Sequence, residues 1–202
     1  MKNISLKHRL IIPIALLGLV ALLSNILSIT NIRNVNASAS NIADNYMDGQ
    51  NHLAQICQSS MNIHKMALSH IVATDYNTMI ALVQQIKEEE TLLDGMLADY
   101  ESHVIPKDHT LYDSLQSNYA SFKHALVSLV CASASHKTQE AYALANGDVA
   151  SFANAMEADI SALNASIGEQ TQEARKQLSA AYSLSLAVGI AAAAACILLV
   201  FM

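Results

Sequence analysis

Helix breakers are scarce between residues 30 and 183: Pro106 is the one proline there and glycines are few, so the stretch offers few places to stop a helix. Cysteine is sparse too, with three in the chain and no CxxC pair or metal-type spacing. Cys196 falls in an apolar run near the C-terminus. Cys57 and Cys131 stand alone; a disulfide between them stays open outside the cell, but two buried free thiols are expected. Basic residues number eleven against seventeen acidic ones, for a net charge of -6, and they form no basic stripe, which excludes nucleic acid as a partner. Catalytic signatures are missing as well: there is no CxxCH, no glycine-rich phosphate loop, and no serine or cysteine with base-like neighbours. Neither an enzyme nor a cofactor is expected. Between residues 30 and 183, histidines stand at 52, 64, 70, 103, 109, 124 and 136, but no HxxxH, HExxH or ExxH puts two ligands on one helix face, so no metal site is expected. Asp99 and His103 are four apart and read as an exposed ion pair.

What the sequence does have is two uncharged apolar runs, Leu10 to Ile29 and Leu184 to Met202. Each is long enough to cross about 30 Å of hydrocarbon as a helix. The first has a competing reading as a cleaved signal peptide, with Lys2, Lys7, His8 and Arg9 as its basic front and Ala37-Ser38-Ala39 as a cleavage site; Ile26 and Ile29 carry it past the usual length. The five consecutive alanines of the second run suit close contact with a neighbouring helix in lipid. Two spans in a cell membrane are therefore expected, with residues 1–9 as a basic cytoplasmic tail. Residues 30–183 lie outside; they hold all seventeen acidic residues and eight of the eleven basic ones.

The outer stretch reads as four helices. From Ile32 through Gly49, Leu53, Ile56, Ser60, Ile63 and Ala67 to His70, steps of three and four make a heptad seam that continues the first span. Asn77 to Val104 carries Met79, Val83, Ile86, Leu93, Leu97 and Tyr100, and Ile105-Pro106 ends it. Asp108 is expected to cap a third helix that buries Leu115, Tyr119, Phe122, Leu126 and Leu129. The fourth runs through Val149, Met156, Ile160, Leu163 and Ile167 into the second span. Asn146-Gly147-Asp148 resembles a turn, but a third helix reaching it would outrun the second by about ten residues. The turn is placed at Ser135 to Thr138 instead, with Thr138 as N-cap, and Asn146-Gly147 becomes an interruption inside helix four that frees backbone groups. The fold class is all-α: an antiparallel up-down-up-down four-helix bundle continuous with two transmembrane helices.

Two segments, "MNIHKMALSHIVATD" at Met61–Asp75 and "TQEAYALANGDVASFANAM" at Thr138–Met156, make the chain resemble the N-terminal sensory half of bacterial methyl-accepting chemotaxis receptors. The resemblance covers the whole chain, mostly as architecture. It implies a homodimer paired along the first helix, where small residues such as Ala39, Gly49, Ser60 and Ala67 allow close contact. It also implies a small ligand held by the distal parts of helices one and four, and a cytoplasmic signalling part after residue 202 that engages signalling partners. The family's ligand-clamping positions fall at Lys65 and Ser69, with His64 and His70 beside them. Tyr142, Asn146 and Asp148 lie at the matching height on helix four. The arginines of the enteric amino-acid receptors are not reproduced, and Lys65 offers a point charge in place of a bidentate fork. An anionic ligand is expected. The same bundle serves as the input of sensor histidine kinases and cyclases, and a ligand-free membrane scaffold is the third reading.

Overall fold

The computed structural model describes residues 6–201, so Lys2, much of the expected cytoplasmic tail and Met202 lie outside the described residues. Helix α1 spans Leu6–Asn41 and passes through a π-helical turn, Ile42–Met47, into α2, Asp48–Val72. Helix α3 spans Tyr76–Tyr100, and two 3-10 turns, Glu101–His103 and Pro106–Asp108, lead to α4, His109–Ala134. A short α5, Thr138–Leu144, runs through a second π-helical turn, Ala145–Val149, into α6, Ala150–Phe201. No strand occurs among the described residues.

The chain divides into two compact units. One is Asn45–Gln170; the other comprises the stretches up to Asp44 and from Thr171 onward. In the first, short connections make α2, α3, α4 and the α5–α6 pair an up-down-up-down bundle. The heptad seam of α2 faces its core: Leu53, Ile56, Ile63 and Ala67 have no exposed surface. Leu93, Leu115, Phe122, Leu129, Met156 and Leu163 meet them from the other helices. Burying a side chain of this size stabilises by about 1.5–3 kcal/mol each, so the apolar seams rather than the exposed ion pairs hold the bundle.

The connections show which local chemistry ends each helix. Asp75 caps α3, its carboxylate accepting from the Thr78 amide at 2.8 Å and the Thr78 hydroxyl at 2.6 Å. Those hydrogen bonds hold its carboxyl below the usual carboxylate range. The expected cap at Asp108 is corrected: its position precedes α4, but its side chain makes no capping bond. It is buried and accepts the Ser166 hydroxyl at 2.7 Å instead.

The turn between α4 and the fourth helix lies at Ser135–Lys137, as helix length requires. The amides of His136 and Lys137 bond the carbonyls of Ser133 and Ala132, both at 3.0 Å, which is a Schellman closure. His136 takes the left-handed position, with φ 57°, that glycine usually fills. Thr138 is not the N-cap; Lys137 occupies that place and Thr138 is the first helical residue. Asn146 and Gly147 sit within the π-helical turn, where the Ala150 amide reaches back five residues to the Ala145 carbonyl.

In the terminal unit the apolar side chains face outward. Leu19, Leu22, Leu23 and Ile26 on α1 are more than half exposed, and so are Leu184, Ile190, Ile197 and Leu198 on α6. The stretches Ile14–Ser40 and Thr138–Leu198 each contain an apolar window long enough to cross a membrane.

Candidate ligand-binding site

The last turns of α2 carry four of the expected site residues, and their surroundings differ. His70 is 1% exposed and belongs to the core. Its Nδ1 lies 2.8 Å from Ser133 Oγ, and that hydroxyl donates to the His70 carbonyl at 3.0 Å. The single hydroxyl proton is therefore used, so the ring nitrogen carries the hydrogen and donates. Burial holds the His70 imidazole below its ordinary pKa. This histidine fastens the end of α2 to the end of α4.

His64 is half-buried, and desolvation lowers its pKa too. It lines a cleft of about 100 Å3 with Cys57, Ser60, Met61, Asn154 and Glu157, between α2 and α6. Burial and the Glu157 charge push the Cys57 thiol up, away from the reactive thiolate. Cys57 and Cys131 are both free, and Cys131 is exposed rather than buried as expected.

Lys65 is exposed, and Ser69 returns its hydroxyl to the Lys65 carbonyl at 2.9 Å. On the fourth helix, Tyr142 is exposed and Asn146 donates its side-chain amide to the Tyr142 carbonyl at 3.1 Å, beside the Ala145 backbone amide that bonds the same carbonyl. Helix α5 packs against α2, so this exposed start lies beside the helix that bears Lys65. Asp148 belongs elsewhere: it lines an open groove of about 550 Å3 with Ser117, Ser121, His124, Ser128 and Phe152. His64 and Asp148 thus sit in separate clefts.

The exposed face of α2 was not legible from the seam. Gly49, Ser60 and Ala67, expected to allow contact between two copies, are buried inside one chain's bundle. The face left open carries Met61, Lys65, Leu68 and Val72, again at steps of four and three, with Met61 62% and Val72 61% exposed. Large apolar side chains at heptad spacing on an open helix face call for a covering partner.

A sequence profile describing a four-helix bundle sensory module for signal transduction matches residues 3–182. The chain belongs to this family. No curated protein matches it. Such a sensory module is a signalling domain rather than a catalytic one, and two candidate membrane-spanning helices flank its bundle.

The expected Asp99–His103 pair at the other end of this module is not formed: Asp99 is exposed, and His103 turns instead toward Asp48 and His52 at the start of α2. Asp48 and His52 stand four apart in one helix, a spacing open to inspection in the sequence. The histidine patterns above do not include it, because its first ligand is an aspartate.

Proposed function

We propose that this chain is the sensor of a two-pass chemoreceptor in the cell membrane, and that two copies hold a small anionic ligand beside Lys65. The carrying observation is the position of Lys65 on the open face of α2, between Met61 and Leu68, at the end of the bundle where α2 turns into α3. A second copy covering that face would bury Met61, Leu68 and Val72 and leave Lys65 and Ser69 at the seam, with Tyr142 and Asn146 beside them. Partial burial between copies strengthens a lysine–anion contact that water would screen on an isolated chain.

In this reading the apolar runs at 10–29 and 184–202 are the spans, residues 30–183 lie outside the cytoplasm and the basic tail lies inside. Signalling proteins are reached through a region after residue 202. Transmission follows from α6, which runs from Ala150 to Phe201 without a break. A ligand that favours one arrangement of the bundle shifts the population of that rod's positions by its differential affinity for the two. The test is a thermal-shift screen of the full chain in detergent against amino acids, organic acids and inorganic anions. Stabilisation by a carboxylate or oxyanion, and not by its uncharged amide or ester, supports the reading; a screen in which no anion raises the melting temperature refutes it.

A further inference from the structure

At the end of the bundle opposite Lys65, the first turns of α2 meet the 3-10 turn after α3. Asp48 and His52 share one face of α2, and His103 arrives from the turn. Asp48 Oδ2 lies 3.8 Å from His52 Nε2 and 3.6 Å from His103 Nε2. One ligand-capable atom from each of the three residues lies within 4.8 Å of the other two. The imidazole rings are tilted by 36° with centroids 5.3 Å apart.

These groups converge without bonding to one another, since both separations exceed hydrogen-bond length. His52 also has its Nδ1 buried with no hydrogen-bond partner, so neither nitrogen of that ring is satisfied by the chain. A tetrahedral metal with nitrogen and oxygen ligands at about 2.0–2.1 Å spaces neighbouring donor atoms roughly 3.4 Å apart. The observed set needs only small side-chain rotations to reach that spacing. His103 packs directly against this part of α2: its Cβ lies 3.5 Å from where a side chain at Gly49 would begin.

We propose that Asp48, His52 and His103 bind a divalent transition metal of the zinc class, independently of the anion reading, which uses none of these residues. Two imidazoles and one carboxylate suit zinc, nickel, cobalt or copper, while calcium and magnesium demand more oxygen ligands than one aspartate supplies. The side chains of His52 and His103 are 23% and 12% exposed and that of Asp48 55%, so the site opens on its carboxylate side and keeps a position for water. Asp48 directly follows the π-helical turn Ile42–Met47. A bound ion would pin the residue just after that turn to the 3-10 turn that follows α3.

The test is zinc binding by the untagged full chain in detergent micelles, measured by equilibrium dialysis, with cobalt(II) absorption as a second readout. The parent should take up a single zinc per chain and give visible cobalt bands. His52→Gln, His103→Gln and Asp48→Asn should each weaken zinc binding by about tenfold or more, the scale that even outer-shell changes reach, and lose the cobalt bands. His124→Gln, on α4 away from the cluster, should bind like the parent. Metal-free melting curves of all variants should match the parent, and where one does not, the cobalt spectrum of the other two decides. A parent that binds no zinc at micromolar concentration, or glutamine variants that bind as tightly as the parent, would overturn the assignment.

Discussion

His70 and Ser133, sixty-three residues apart in sequence, close a reciprocal pair in the core: the imidazole Nδ1 meets the Ser133 hydroxyl at 2.8 Å and the hydroxyl returns to the His70 carbonyl at 3.0 Å. The pair ties the ends of α2 and α4 together at the loop end of the bundle. Replacing Ser133 by alanine leaves a buried N–H and a buried carbonyl without this partner. The expected loss is about 1–3 kcal/mol, measured by thermal unfolding of the full chain in detergent. An unchanged midpoint would mean the pair contributes nothing to stability.

The same burial sets a pH dependence. His70 and His64 both have folded pKa values below the 6.5 of a free imidazole, because burial disfavours their charged forms. Below 6.5 the unfolded chain binds protons that the folded chain does not, so stability should fall as the pH drops from that value toward the lower folded pKa. Above it these groups contribute no slope. His70→Gln, which keeps a donor for Ser133, should flatten the dependence; an equally steep slope in that variant would exclude His70 as a source.

Backbone substitutions test the third turn. Proline at Thr138 takes the first helical position, where its missing amide is not needed. It should cost little. Proline at Ala141 removes the Ala141 amide bond to the Lys137 carbonyl, 2.9 Å, at a buried position, and should cost about 3 kcal/mol or more. His136→Gly relieves a left-handed φ and should stabilise by about 1 kcal/mol or less. Circular-dichroism melts distinguish these outcomes, and tolerance of proline at Ala141 would contradict the helix start.

Dimer geometry can be read by crosslinking. In a background with Cys57, Cys131 and Cys196 replaced by serine or alanine, single cysteines at Met61, Leu68 or Val72 should crosslink two copies in membranes. Cysteines at Ile63 or Ala67, which face the chain's own core, should not. Equal yields on both faces would remove the open face of α2 as the interface.

Much of the bundle was legible because burial imposes a period. The steps of three and four from Leu53 to His70 and from Val149 to Ile167 fall on buried positions, and Pro106 marks a connection. Helix length placed the third turn at Ser135, against the stronger local signal of Asn146-Gly147. What stayed hidden has physical reasons. A heptad seam does not say whether it packs within a chain or between copies, so Gly49, Ser60 and Ala67 pointed to the wrong partner. The closure at His136 lacks its usual glycine, and the Asp108 carboxylate was drawn from capping to Ser166 by a tertiary contact. His103 joins Asp48 and His52 only because the 3-10 turn after α3 folds it back, which no periodicity encodes. The resemblance places Lys65 and Ser69, with His64 and His70 beside them, on helix one, and height along the bundle places Tyr142, Asn146 and Asp148 opposite, but neither fixes the face: His70 turns inward, Lys65 outward and Asp148 toward α4.

The central claim is that Lys65 holds an anion on the module's open face. Its most direct measurement is calorimetric titration of the full chain in detergent with whichever anion stabilises it most in the screen, comparing the parent with Lys65→Ala and Lys65→Gln. The account expects both variants to lose affinity by about tenfold or more, the value of roughly 1.4 kcal/mol for one charge-assisted contact, while their melting curves without ligand match the parent. Binding as tight as the parent's in both variants would contradict it and move the ligand away from α2.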